Sequence, residues 1–504
     1  MKKLSRIVLA LSIAFTIIGC NEQVIEKVES KEPEAYSTER SQELAQMALM
    51  GNYKISEENA AEALLYFLVS KDSENGRAAS TNAYELEKIN TATIEFAEIS
   101  NSVNSTSRNS SVEEYDDIDF YLYQINNSVT DTSGYAVLSN DKRIGEIISV
   151  VDDSEFSEDI SDNPFMQLFC MGLEDYLEET SDIWNSLTDD DLDIAAERAA
   201  IDPVKIVDEG GWSFIEWKRN KGNIKYELKT KWNQNDSPYN NCIVSIIGGN
   251  SRYAGCGAVA VAQIMAFHEW PKNCTSANYN RIKSKWNPAR NWNGTYNWSL
   301  LKSVGSPASY ISNPSELQMQ IGALMFDVAE GCNSSYYSNS TTVTPSNCMN
   351  FLVSSGYMYD ASLEYNYNTI QNSIDNGRPV ILYGYSRKEW KTITYKVLWW
   401  SWTKKELLND GGHYFIADGY YNMSCTAVKG NERASFTYDF VHCNAGLGGH
   451  ANGYYLTNVF NMKDRHLIGD DDYINQHLAR SEEVDYGEKN YRIDVRQITN
   501  IKRR

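Results

Sequence analysis

Cysteine and histidine are the residues of this chain whose types and spacing suit nucleophilic chemistry. Cys256 stands in "YAGCGAVAVAQIMAFHEWP" (253–271), a run that is apolar from Ala258 to Phe267 except at Gln263 and stops at Pro271. No Gly or Pro interrupts Ala258 to Trp270, and the run is too long for an ordinary core strand, so it reads as a buried helix. Cys256 then lies at or near the helix N-terminus, where unpaired N–H groups and the macrodipole favour negative charge. That setting is expected to lower the thiol pKa and supply the thiolate that attacks carbonyl carbon. A lone cysteine there would serve equally as a small core hydrophobe, so the rest of the chain decides.

A nucleophilic thiol needs a base that takes its proton and returns it to a leaving amine. Six histidines are available: His268, His413, His442, His450, His466 and His477. His268 shares the helix of Cys256 and points away from it, and His466 and His477 lie in a polar C-terminal stretch. His413 follows two glycines in "GGHYFIADGYY", at the start of an apolar strand, where glycine lets a substrate backbone approach closely. His442 and His450 flank the glycine-rich turn "HCNAGLGGHANG" as edge or cleft residues. A third group must hold the base in the right tautomer. Asn444, ending the strand "FTYDFVHCN", is the first candidate; Asp418 is the second, five residues along a strand from His413 and so on its opposite face. Cys, His and Asn in that chain order, the cysteine on the first long helix, is the papain-like layout.

On these residues the chain resembles the streptopain family of bacterial cysteine peptidases. The matching pieces are "KTKWNQNDSPYN", "GCGAVAVAQIMAFHEWP", "GGHYFIADGYY" and "HCNAGLGGHANGYYLTNVF", with "YAVLSNDKRIGEIISVVDD" similar to the family's propeptide. The resemblance implies an α+β papain-like fold, a helical part plus an antiparallel sheet, preceded by an α+β propeptide domain. It implies Cys256 as nucleophile, His413 as general base and Asn444 as orienter. It also implies an oxyanion hole from the Cys256 N–H and Asn250, which stands where the family has glutamine. Where the family reads Asn-Trp-Gly-Trp-Gly-Gly, this chain reads Asn444-Ala445-Gly446-Leu447-Gly448-Gly449. Ala445 in place of a shielding tryptophan leads us to expect a wetter, weaker His–Asn bond unless another aromatic fills the gap. The implied activity is peptide-bond hydrolysis on protein or peptide substrates, with no cofactor.

The elements that must position these residues follow from periodicity. Thr38 to about Val69 has helical spacing, "ISNSVNSTSRNSS" (99–111) is a loop on composition, and "DFYLYQI", "GYAVLSND" and "EIISVVDD" read as strands. A helix runs from about Pro164 to Thr180. The stretch 208–240 reads as a linker, with cleavage expected near Lys218–Lys225. A second helix is expected around "SELQMQIGALMFDVAEG", then strands at "RPVILYGYS", "TITYKVLWW", "HYFIADGYY", "FTYDFVHCN" and "GYYLTNVF". Alternating Ile393, Tyr395, Val397 and Trp399 predict a hairpin beside the cleft, as packing or as a flap over substrate.

The 504 residues suit two or three units. The division is 1–20 signal peptide, 21–37 tether, 38–222 inhibitory propeptide and 223–504 catalytic domain. The signal carries Lys2, Lys3 and Arg6, an apolar core from Ile7 to Ile18, then Gly19-Cys20. This pattern fits export, and its ending resembles a bacterial lipobox with Cys20 lipidated, anchoring the chain to a membrane at the periplasmic or cell-surface side. The formal charge of −22 is uneven: residues 101–210 hold 27 acidic against 5 basic residues, residues 211–504 hold 25 against 31. The acidic window reads as a solvated surface or as a pro-region docked on a basic catalytic part, and such docking is expected to be salt-sensitive. No basic stripe points to nucleic acid, and no cysteine spacing fits a structural metal. Export permits disulfides among the remaining cysteines. Two other readings use the same chain: a non-catalytic surface binding lipoprotein on a decayed peptidase scaffold, and acyl transfer to an amine.

Overall fold

The computed structural model describes residues 38–74, 80–94, 117–201, 216–226, 228–303, 314–386, 393–404, 411–429, 432–461 and 493–504, apart from short breaks that include 220–222 and 250–252. The signal, the tether, the 99–111 loop, Asn250, His466 and His477 lie outside the described residues.

The N-terminal region begins with helices α1 (Thr38–Met50) and α2 (Glu57–Glu74). Strands β1 (Tyr84–Ile94), β2 (Ile118–Asn127), β3 (Thr132–Ser139) and β4 (Ile147–Val151) follow as an antiparallel meander. Helices α3 (Pro164–Ser186) and α4 (Asp189–Ile201) end it. Pro164 opens α3 where its missing N–H costs nothing, and Asn163 accepts from the Met166 N–H as the cap.

The expected linker is in part extended: β5 (Glu216–Arg219) and β6 (Asn223–Tyr226) both pair with a later strand. Helices α5 (Asn241–Ile247), α6 (Cys256–His268), α7 (Ser276–Lys285), α8 (Trp298–Leu301) and α9 (Glu316–Gly331) come next. The two-residue ladder of β7 (Ser335–Tyr336) and β8 (Thr341–Thr342) leads to α10 (Pro345–Ser354). Then come β9 (Tyr357–Glu364), α11 (Tyr367–Asp375), β10 (Val380–Ser386), and a hairpin of β11 (Ile393–Val397) and β12 (Trp400–Lys404). The last strands are β13 (Gly411–Lys429), β14 (Glu432–Asn444), β15 (Gly453–Leu456) and β16 (Ile493–Arg503). This is the expected α+β division into helices and antiparallel sheet.

The two regions share one sheet, ordered β1-β2-β3-β4-β15-β14-β13-β10-β16-β9 with β5 and β6 on β13. The join is β4 on β15, Val150 opposite Tyr454 and Val151 opposite Gly453. A β-carbon on Gly453 would lie 2.3 Å from the Val150 carbonyl oxygen, so only glycine permits the approach. The sheet separates two layers. Tyr414 and Ile416 of β13 and Ile381 and Tyr383 of β10 join the core around α6. Their neighbours face α3: Phe165 meets Phe415 at 5.0 Å between ring centroids, and Leu168 sits against Gly384. This is the period-two alternation of a strand buried on both faces.

Among the described residues, contact between the N-terminal region and the rest includes aromatic packing and a buried charged turn. Phe67 of α2 packs on Tyr421 (4.7 Å) and Tyr454 (5.2 Å), and Phe169 on Tyr455 (4.9 Å). The predicted hairpin forms, and its Trp399 and Trp400 meet Phe156, with Trp400 also meeting Phe169. The turn 141–146 carries Asp141, Lys142, Arg143 and Glu146, all fully buried. Lys142 pairs with Glu146, its Nζ lies 3.5 Å from Cys425 Sγ, and Cys425 donates to Glu146 Oε1 at 3.3 Å. Buried pairs are screened little by salt, so this contact gives no support to salt-sensitive docking. All eight described cysteines are free thiols. Glu146→Ala, which removes the carboxylate paired with the buried Lys142 ammonium, is expected to cost about 3–5 kcal/mol in urea unfolding. The double change Lys142→Met with Glu146→Leu is expected to recover most of that loss.

Candidate active site

Helix α6 begins at Cys256 because of the glycines around it. Gly255 caps the helix at φ 91°, a conformation that favours glycine. A β-carbon on Gly257 would lie 2.3 Å from Val343 Cγ1, so the turn that carries the cysteine admits no side chain there. Ala258 to Ala266 are buried, and His268 at the far end bonds the Ile501 carbonyl at 3.1 Å. The sequence led us to expect a depressed thiol pKa. The helix amides of Cys256 and Gly257 and the Tyr414 N–H do act that way, yet burial outweighs them and holds the thiol up at about 11. In this arrangement Cys256 is protonated at neutral pH.

His413 is two residues into the β10-paired part of β13, opposite Gly384. Its ring lies on the α3 face, 6.4 Å from Phe165 and stacked at 6.4 Å on Phe415. Burial lowers its pKa to about 4, so the ring is neutral. Nε2 lies 2.8 Å from the Ala445 carbonyl oxygen, an acceptor only, so Nε2 carries the proton and Nδ1 presents its lone pair. Among the described residues, buried Nδ1 has no hydrogen-bond partner. The ring therefore has the tautomer a base requires, with no thiol against it.

Asn444 is not the group that holds His413 here; the Ala445 carbonyl does that. The Asn444 side chain is taken up elsewhere. Its Nδ2 donates to the Thr230 carbonyl (2.6 Å) and to Gln263 Oε1 (3.3 Å), and its Oδ1 accepts from Gln263 Nε2 (3.2 Å) and the Gly446 N–H (3.1 Å). Thr230 Oγ1 also donates to Gln263 Oε1 at 2.8 Å. Gln263 is thus the residue sequence reasoning passed over, and its signal was visible as the polar break in an otherwise apolar helix. Asp418 orients His442, with 2.6 Å between Oδ1 and Nδ1, and takes the Leu228 N–H on Oδ2. The wetting expected from Ala445 does not arise. Ala445, Asn444 and His413 are all buried, with Phe165 and Phe415 covering the ring. Asn250 lies outside the described residues, so the geometry of the second oxyanion donor is not described.

Two measurements check this arrangement. Gln263→Leu leaves the amide of Asn444 and the Thr230 hydroxyl short of partners, and urea unfolding is expected to show a loss of about 1–3 kcal/mol. His413 binds a proton in the unfolded chain below its ordinary value of 6.5 but in the folded chain only near 4. Stability contributed by the neutral ring is therefore full above the unfolded pKa and is lost as pH falls through that window. The acid-induced drop in the urea midpoint is expected to shrink in His413→Asn, by up to ~3 kcal/mol.

Comparison with known proteins shows what this chain is similar to. Residues 232–455, which hold Cys256, Gln263, His413 and Asn444, match the Peptidase C10 family. Streptopain of Streptococcus pyogenes serotype M1 is 23% identical over 420 residues, 81% of this chain and 86% of that protein. The thiol protease/hemagglutinin PrtT of Porphyromonas gingivalis is 28% identical over 236 residues, 46% of this chain and 23% of that protein. Among solved structures, prointerpain A of Prevotella intermedia aligns at 17% identity and a TM-score of 0.38, over 68% of this chain and 90% of that one. Residues 232–455 thus match the Peptidase C10 family, the chain is similar to streptopain along most of its length, and these likenesses support a cysteine-type peptidase.

Proposed function

We propose that the chain is an exported, lipid-anchored cysteine endopeptidase made as a zymogen, acting through Cys256 and His413. The observation that carries this reading is the contact between the Cys256 thiol and the N–H of Tyr414, the residue next to His413. One residue separates the backbone against the nucleophile from the base. The N-terminal region, 38–222 with the linker, is the inhibitory propeptide. It supports latency physically: Phe165 of α3 packs on the His413 ring, burial keeps that ring neutral, and the thiol stays protonated.

Removal of the N-terminal region opens the α3 face of β13 and frees the imidazole to leave the Ala445 carbonyl for the thiol. Cys256 Sγ then attacks the peptide carbonyl, and His413 carries the proton to the leaving amine. Asn444 is the orienting amide of the active form, already fixed by Gln263, and water hydrolyses the acyl-enzyme. The Cys256 N–H and Asn250 are the proposed oxyanion donors. Cys20 is the proposed lipidation site, consistent with the export signal. Among the described residues no helix is long and apolar enough to cross a membrane.

The test is casein hydrolysis by chain 21–504 under reducing conditions, followed by mass spectrometry beside Cys256→Ala. The wild type is expected to lose about 200 N-terminal residues, the span of the proposed propeptide, and to become active. The Cys256→Ala chain is expected to stay full-length with activity down at least about 10⁴-fold. A wild-type chain that neither matures nor cleaves, even after nicking within 220–222, would leave the binding-protein reading standing instead.

A further inference from the structure

Three thiols on three elements converge at the N-terminus of α6, and the peptidase reaction uses one of them. Cys256 opens α6, Cys332 caps the end of α9 and Cys348 lies in the first turn of α10. Cys332 and Cys348 are fully buried, and their side chains hydrogen-bond to each other. Cys348 also reaches toward the nucleophile. A β-carbon built on Gly257, the residue after Cys256, would lie 3.4 Å from Cys348 Sγ. Cys348 is close enough to Cys256 that charge on Cys348 would oppose ionisation of the Cys256 thiol. Cys256 alone of the three keeps partial exposure, so it is the one that an oxidant from solvent meets first.

We propose that Cys348 and Cys332 are a resolving pair for the nucleophile, which returns an oxidised Cys256 to its thiol and stores the oxidation as a buried Cys332–Cys348 disulfide. The inference rests on the reading of Cys256 as the reactive thiol. The oxidant is a hydroperoxide. Cys256 sulfur attacks its distal oxygen, the O–O bond breaks, and Cys256 sulfenic acid forms with release of an alcohol, or of water from hydrogen peroxide. Cys348 sulfur then attacks Cys256 sulfur, the S–O bond breaks, and water leaves as a Cys256–Cys348 disulfide forms. Cys332 sulfur attacks Cys348 sulfur, and Cys256 departs as thiolate and takes up a proton. In sum, one hydroperoxide is reduced and two thiols become one disulfide, with Cys256 unchanged. The ladder is thereby stopped before the sulfinic step, which a thiol reductant does not reverse.

The relay explains an arrangement that packing does not require. Alanine or valine fills such core sites without a reactive sulfur, yet here two thiols touch beneath a third. An exported enzyme meets oxidants without the cytosolic reducing pool, and a nucleophilic cysteine is the group it has most to lose.

The full chain, reduced and freed of reductant, is exposed to hydrogen peroxide in mildly alkaline buffer and mapped by non-reducing peptide mass spectrometry. Wild type is expected to give a Cys332–Cys348 disulfide with Cys256 still alkylatable. Cys332→Ser is expected to stop at a Cys256–Cys348 disulfide. Cys348→Ser is expected to run on to Cys256 sulfinic acid, with a loss of casein cleavage that dithiothreitol does not restore, whereas wild type keeps its cleavage. The relay is overturned if wild type accumulates Cys256 sulfinic acid while Cys332 and Cys348 stay reduced. It is equally overturned if Cys256→Ala forms the Cys332–Cys348 disulfide as fast as wild type. The wild-type map stands even if a serine variant misfolds. Failure of every reduced chain to cleave casein strikes the peptidase reading, whereas the disulfide map alone decides the relay.

Discussion

Backbone pairing of Val150 and Val151 with Tyr454 and Gly453 is the constraint on which the state of this molecule depends. It fuses the N-terminal meander to the C-terminal sheet and sets α3 across the face of β13 that carries His413. Gly453 makes it possible, because any β-carbon there would run into the Val150 carbonyl. Once the sheets join, Phe165, Leu168 and Phe169 have one place to go, against Phe415, Gly384 and Tyr455. Burial of the imidazole follows from that packing, and its neutral form follows from the burial.

Two opposing effects meet at Cys256. Helix amides and the Tyr414 N–H favour the thiolate, while desolvation favours the thiol, and desolvation is the larger. A cysteine at a helix N-terminus is therefore not activated by position alone; it needs a cation or water nearby. Latency here is a matter of electrostatics as much as of access, since both members of the pair are held in their neutral forms. The His413 ring nonetheless keeps its proton on Nε2 through the Ala445 carbonyl, which leaves Nδ1 ready as an acceptor.

Around the turn 444–449 and β13, the buried polar side chains mostly serve one another. Gln263, Asn444 and Thr230 satisfy one another, Asp418 serves His442 and the Leu228 N–H, and the Asn452 side-chain oxygen takes the Ala445 N–H at 2.9 Å. Such groups are costly to bury singly and specify one arrangement when complete. The turn 444–449 is fixed by these bonds at one end. At the other its glycines take positive φ, among them 69° at Gly446, where close approach to Val259 of α6 also leaves little room.

The sequence by itself determined the elements whose signals are local. Apolar continuity from Ala258 to Phe267 specified α6, Ser315 with Gln318 capped α9 as a reciprocal box, and alternation at Ile393, Tyr395 and Val397 specified the hairpin. It also singled out Cys256 and His413 as the candidates for chemistry, because each follows a glycine in its motif. Tertiary structure decided everything that depends on partners distant in the chain. Strand β16 enters between β10 and β9 from the far C-terminus, and its Arg and Lys residues hide its alternation. The linker became β5 and β6 because β13 offered a free edge. Asn444 turned to Gln263 and Asp418 to His442, since hydrogen-bond choice is made by whichever donor and acceptor arrive within about 3 Å. Charge reversed its expected part for the same reason. The acidic excess of 101–210 is visible in composition, yet the charges that touch the other region are buried in the 141–146 turn, where the surrounding fold and not net charge sets their worth.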